Sequence, residues 1–161
     1  MKRMIMLVLC LMIALSLAGC GRKMPASIQA NENEIKLIIG LDLKEEIGLF
    51  LVESDIGGQK SVGGTSNADR TMIKPDDVIY WSLDKQHYEN VSDTVELTLN
   101  FTAVTEYFNP NYDNDYPEEY KIPMDGITFT ASFGEVYSIR ITGDKANGYQ
   151  AVLEQGASKT E

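Results

Sequence analysis

Histidine, tryptophan and cysteine are nearly missing from this chain, which has one, one and two of them in 161 residues. With His87 as the single imidazole, a multi-histidine zinc site is excluded. A Ser-His-Asp triad would have to use that same residue, which sits in a turn-like DKQHYEN stretch, and nothing around Ser82 or Ser92 has the shape of a nucleophile elbow. Positive charge is scarce as well. Fourteen Lys and Arg face 24 Asp and Glu, a formal net charge of −10, which argues against nucleic acid and against electrostatic adhesion to anionic lipid. Helical periodicity is the third absence, since no segment offers three good amphipathic turns. A run of apolar residues long enough to span a bilayer is the fourth, for the longest, Ile5 to Leu17, holds 13 residues where about 20 are needed.

That apolar run has a context. Lys2 and Arg3 precede it, and the small residues Ala18 and Gly19 follow it, the layout of a secretory signal over residues 1–19. The run closes on Leu17-Ala18-Gly19-Cys20, which resembles the lipobox of bacterial lipoproteins. The resemblance implies a diacylglyceryl group on the Cys20 sulfur, cleavage just before that residue, and attachment to the lipid bilayer through N-terminal acyl groups of the palmitate kind. Two or three acyl chains give stable anchoring where one is marginal. Cys10 would leave with the signal, so no internal disulfide could form. Residue 21 is glycine rather than the aspartate associated with inner-membrane retention, so the implied location is the extracytoplasmic face of the cell membrane, or the outer membrane in a host that has one.

The expected organisation is a signal peptide at 1–19, a lipidated N-terminus and flexible stalk at 20–33, one domain at 34–155 and a frayed tail at 156–161. Loss of Lys2 and Arg3 takes the net charge from −10 to −12. The stalk, CGRKMPASIQANEN, is polar or small throughout and could reach roughly 45–50 Å if fully extended.

Within the domain the dominant period is two. In TVELTLNF, Val95, Leu97, Leu99 and Phe101 face one way while Thr94, Glu96, Thr98 and Asn100 face the other. Ile127, Phe129, Ala131 and Phe133 repeat the pattern, as do Tyr137, Ile139 and Ile141, then Tyr149, Ala151 and Leu153. The turn residues of GDKANG make those last two segments a hairpin. EIKLIIGLDL, IGLFLVES and VIYWSL read as further strands, with Trp81 as a core residue. The phase of the 95–108 strand changes after Phe101, which predicts a β-bulge there. The fold class expected is all-β: a single antiparallel β-sandwich, with the immunoglobulin arrangement as one candidate topology and an open barrel as the alternative.

Two regions read as irregular, 55–70 and 109–123, and loops on a rigid sandwich are where binding usually resides. Gly58 to Thr65 nearly fits the P-loop spacing, but Gly64 stands where the phosphate-binding lysine belongs and no helix follows, so a glycine-rich loop is the reading. Asp113, Asp115, Glu118 and Glu119 gather carboxylates of the kind Ca²⁺ takes, yet the EF-hand frame fails because Tyr116 falls where glycine is needed and Ile122 where glutamate is. A solvated acidic loop is the plainer account, and no cofactor other than Ca²⁺ is implied. Tyr107, Tyr112, Tyr116 and Tyr120, with Phe108, interleave those acids and suit sugar rings or a protein surface. Together these features predict no enzyme activity. They predict a non-catalytic binding or interaction domain whose partner is an envelope protein or a glycan, or else an accessory subunit of an envelope complex.

Overall fold

The computed structural model describes residues 28–69, 71–106 and 117–155. Cys20, Tyr107, Tyr112, Asp113, Asp115, Tyr116, Phe108, the signal segment, most of the expected stalk and the tail lie outside the described residues. Nine strands occur among the described residues: β1 (Glu34–Leu43), β2 (Leu49–Ile56), β3 (Gln59–Thr65), β4 (Val78–Asp84), β5 (Thr94–Val104), β6 (Lys121–Pro123), β7 (Ile127–Ser132), β8 (Val136–Asp144) and β9 (Gly148–Gln155). Two single-turn 3-10 helices, Lys85–His87 and Glu118–Tyr120, complete the inventory. No helix among the described residues is long and apolar enough to cross a membrane.

The strands form two sheets, β4-β1-β8-β9 and β3-β2-β5 with β6 and β7 both on the far side of β5. Side-chain alternation is what presses them together. On β1, Ile35, Leu37, Ile39, Leu41 and Leu43 all turn inward and are buried. Opposite them β2 contributes Phe50, Val52 and Ile56, and β5 contributes Leu97, Leu99, Phe101 and Ala103. Phe50 and Phe101 stack with ring centroids 5.6 Å apart, and Phe129 meets Tyr137 at 5.1 Å. Burial of each such aliphatic or aromatic side chain contributes about 1.5–3 kcal/mol, so this double row is the main source of stability. The domain is an all-β sandwich.

Three details differ from the sequence reading. First, β1 and β8 pair in parallel, Lys36 with Val136 through Leu43 with Gly143, while every other pairing is antiparallel. Second, the strand order is not that of an immunoglobulin domain, where the second and third strands lie in opposite sheets. Here β2 and β3 form one hairpin over the Gly57-Gly58 turn, both glycines with positive φ, at 61° and 84°. That hairpin also replaces the expected glycine-rich loop: Gln59–Thr65 is an edge strand, mostly exposed.

Third, β5 carries no bulge. It pairs with β2 in unbroken register from Leu97 to Val104. The extra residue sits on the partner strand instead. β6 aligns Pro123 with Thr102 and β7 aligns Ile127 with Leu99, so Met124, Asp125 and Gly126 stand opposite only Asn100 and Phe101. Gly126 is needed there, since a methyl group on it would lie 2.3 Å from Asn100 Oδ1. A second irregularity falls between Ser138 and Ile139 in the β8–β9 ladder.

Trp81, a core residue by sequence pattern, is half-buried at the margin of the core. It points inward from edge strand β4 and lies over Gly63 of edge strand β3, where a methyl group on the glycine would be 2.6 Å from Cη2 of the indole. The indole thereby closes one open side of the sandwich.

Candidate functional site

The sandwich has two ends. One gathers the start of β1, the β2–β3 turn, the β4–β5 connection and the β7–β8 turn; the other gathers the β1–β2, β3–β4, β5–β6 and β8–β9 connections. Pro117 to Tyr120, the described part of the acidic aromatic stretch, lie at the second end.

Of that loop, the structure describes Pro117 to Tyr120. Glu118 is exposed and pairs with Lys121 at 2.7 Å, and Glu119 is exposed. Tyr120 is half-buried, and its carbonyl accepts from the Thr105 N–H at 2.9 Å, which ties the returning chain to the end of β5. Among the described residues no group of three or more His, Cys, Asp or Glu side chains is arranged to hold a metal ion. Asp113 and Asp115 lie outside that set.

At the same end, two carboxylates organise the turns. Asp144 accepts from Lys44 Nζ at 2.6 Å, from the Ala146 and Asn147 N–H groups at 3.0 and 2.8 Å, and from the Asn147 amide. The Lys44 ammonium first, and then Asn147, hold its carboxyl well below the usual carboxylate range, while Asp144 in turn raises Lys44. Glu45 accepts from the Lys145 N–H at 2.7 Å and from the Tyr149 hydroxyl. Burial, then the Glu45 carboxylate, push the Tyr149 phenol far above its ordinary value. Both acids thus fasten the β8–β9 turn to the β1–β2 connection.

The opposite end has concave surface that sequence reading missed. Two open grooves of about 550 and 490 Å³ lie on either side of Asn90 and Val91. The first is lined by Asn31, Asn33, Asp84, Lys85, Gln86 and Tyr88 besides those two. The second runs between Gly57-Gly58 and the start of β5, past Asp55, Ser92, Thr94 and Glu96. Asn90 has φ 55°, the only positive value at a described residue other than glycine, and asparagine tolerates that region better than most side chains.

The ridge between the grooves is held firmly. The Gln59 side-chain amide donates to the Glu89 carbonyl at 3.0 Å and accepts from the Glu89 N–H at 2.7 Å, as a strand neighbour would. Asp84 caps the short 3-10 turn through the Gln86 N–H at 3.0 Å. Lys85 pairs with Asp93, which lowers that carboxyl, and its ammonium stands 5.5 Å from the Phe133 ring centre. Beneath, the buried Tyr88 hydroxyl meets Ser54 Oγ at 3.1 Å. His87 is exposed and lines neither groove. The lining mixes amides, hydroxyls and carboxylates with Lys85 and with the apolar Ile56, Val91 and Val95, a surface that can hydrogen-bond a polar ligand.

In sequence the hints of this end are slight. Gly57-Gly58 marks a turn and Asn90 a left-handed residue, but which turns meet in space depends on strand order, which no local pattern encodes.

No protein-family model matches this chain, and no curated protein sequence matches it either. Among solved structures it is similar to a non-haemolytic pneumolysin from Streptococcus pneumoniae strain ST306, at 9% identity and a TM-score of 0.39 over 78% of this chain and 24% of that one. It is also similar to the isolated membrane-binding domain of pneumolysin, at 9% identity and a TM-score of 0.37 over 78% of this chain and 99% of that one. The chain thus spans about a quarter of the length of the full pneumolysin it matches, 24%. Likeness at this level carries no argument about activity.

Proposed function

We propose that this chain is a membrane-anchored bacterial lipoprotein whose sandwich is a non-catalytic, extracytoplasmic binding or interaction domain. The observation that carries the reading is Leu17-Ala18-Gly19-Cys20 at the end of a 13-residue apolar run behind Lys2 and Arg3. The domain supports it in one respect: its loops are fastened by side-chain hydrogen bonds to a two-sheet scaffold, the usual way to present a recognition surface. An envelope protein or a glycan is the partner class that the tyrosines and carboxylates of 107–120 suit. The test is incorporation of labelled palmitate. The wild-type protein should carry label and fractionate with membranes, and Cys20→Ser should do neither. Equal labelling of both proteins would remove the assignment.

The second reading, an accessory subunit of an envelope complex, is favoured by Val78 and Tyr80, which are 37% and 53% exposed on the outer face of β4.

A further inference from the structure

We propose that the outer face of the β4-β1-β8-β9 sheet is the side of the domain that rests against the lipid surface. This rests on the lipoprotein reading above and adds an orientation to it.

The first observation is where the chain enters. Residues 29–33, a free stalk by composition, are tied to the sandwich. The Glu34 N–H donates to the Asn31 carbonyl at 3.0 Å, and the Glu34 carboxylate accepts from the Asn31 N–H and side chain at 3.3 Å, closing a turn. The Lys85 N–H donates to the Asn33 carbonyl at 2.8 Å. Because of the turn, the chain before Asn31 doubles back beside β1. Lys36, which alternates outward between the buried Ile35 and Leu37, donates from Nζ to the Gln29 carbonyl at 2.9 Å. The described residues before Asn31 therefore lie beside Lys36 on the outer face of this sheet.

The second is how little chain separates that point from Cys20. Residues 20–27 can span no more than about 28 Å when fully extended, and a relaxed coil of that length spans nearer ~16 Å. A bilayer anchor at Cys20 thus keeps this face within a few nanometres of the lipid, at an effective concentration on the order of millimolar. Even a weak preference for one face then decides how the domain sits.

The third is what the reachable surfaces are made of. On the outer face, Tyr80 stands directly opposite Ile38 and Val78 opposite Gly40 in the β1–β4 ladder. Ile38 is 7% exposed although it faces away from the main core, and Tyr80 and Val78 beside it are open. Further across, Val152 is 52% exposed next to Arg140. The face's two cations meet three carboxylates, Lys36 with Glu34 at 3.4 Å and Arg140 with Glu154 at 2.6 Å and Asp42 at 3.8 Å, so the apolar side chains and not charge would hold it to lipid. The alternatives expose fewer large apolar side chains. The end of the sandwich is lined by Asn31, Asn33, Asp84, Gln86 and Asn90. The outer face of the other sheet exposes one large aliphatic, Val62 at 67%, among Glu53, Glu96, Thr98, Thr128 and Thr130. Tyrosine with a flanking aliphatic suits the interfacial zone, where the ring meets acyl carbons and the hydroxyl meets headgroups.

The test uses the full chain, matured and lipidated, in phosphatidylcholine vesicles containing a fraction of lipid with a quencher on its headgroup. The mature lipoprotein has no free thiol, so Gln150→Cys and Thr130→Cys each give a single site for a fluorophore, on the outer faces of the two opposite sheets. The sheets of a sandwich stand about 10 Å apart and their outer faces farther, so quenching should be several-fold stronger at 150 than at 130. Tyr80→Ser with Val78→Ser should reduce quenching at 150 while flotation of the protein with the vesicles is unchanged. Flotation with equal quenching at both sites, or with stronger quenching at 130, would overturn the orientation and leave the anchor standing. Failure of the protein to float would overturn the anchor, and the orientation with it.

Discussion

Gly63→Ala is the smallest change that should be felt across the whole open side of the sandwich. The added methyl group would lie 2.6 Å from Cη2 and 2.9 Å from Cζ2 of Trp81, where ordinary contact begins at 3.4 Å. The indole must withdraw by close to 0.8 Å, or β3 must peel back from β2 by as much. Overpacking of this kind costs about 1–3 kcal/mol. For a domain of this size that lowers the melting midpoint by roughly 4–12 °C. Trp81→Ala alone should cost about 3 kcal/mol or less, because the ring is only half-buried. The informative protein is the double variant. With the indole gone the methyl group has room, and Gly63 is not among the positive-φ glycines, so alanine fits the backbone. Gly63→Ala in that background should be neutral, or stabilising by about 0.5 kcal/mol through a less mobile unfolded chain. The cycle therefore predicts a coupling of about 2 kcal/mol. Urea denaturation followed by far-ultraviolet circular dichroism measures all four proteins without depending on the one tryptophan. If Gly63→Ala costs the same in both backgrounds to within about 0.5 kcal/mol, the two residues do not touch and this account of the edge is wrong.

Other outcomes are equally specific. Asp144 has a carboxyl held below its ordinary value of about 3.9, so the stability it contributes is present above that pH and is lost as pH falls through the folded value. Its partner Lys44 is raised, so that contribution is present below about pH 10.4 and lost only as pH rises through the higher folded value. Thermal melts of Asp144→Asn should accordingly fall below wild type by a constant margin from about pH 5 to 9, a margin that closes below about pH 4; a gap that persists unchanged into acid would refute the ion pair. Gln59→Ala should cost about 1–2 kcal/mol for two lost hydrogen bonds and should speed amide exchange at Glu89, while β8 and β9 keep their protection. For the acidic loop, Ca²⁺ and Mg²⁺ should raise the melting midpoint by the same small amount through screening. A Ca²⁺-selective rise that vanishes in Asp113→Asn/Asp115→Asn would instead make that loop a metal site.

The fold class is legible because alternation survives in single strands. β5 shows it over its whole length, Val95 to Ala103, and the β8–β9 hairpin carries turn glycines where the chain needs them, Gly143 and Gly148 at φ 120° and 86°. β3 is not legible, because Gln59–Thr65 pairs at an edge with little to bury and its two consecutive glycines imitate a loop; their cause is contact with Trp81 and with Leu49 and Leu51. The bulge expected in the 95–108 strand is absent, and the extra residue at Met124 to Gly126 leaves no mark on the alternation of β5. β5 keeps its phase through Phe101 and Ala103, and Val104 is buried as well where the strand ends, which imitates a phase change in the sequence. The parallel β1–β8 pair joins residues about a hundred positions apart and leaves no local trace. For the same reason the grooves beside Asn90, assembled from three separate segments, emerge only once the strands are in order.

The claim on which the rest depends is that Cys20 is the first residue of the mature chain and its lipid anchor. Mass spectrometry of the N-terminal peptide from membrane-extracted protein tests it directly. The account predicts a peptide that begins at Cys20, lacks residues 1–19 and carries a diacylglyceryl thioether on that sulfur. A peptide that retains residues before Cys20, or that carries an unmodified Cys20 thiol, would contradict it.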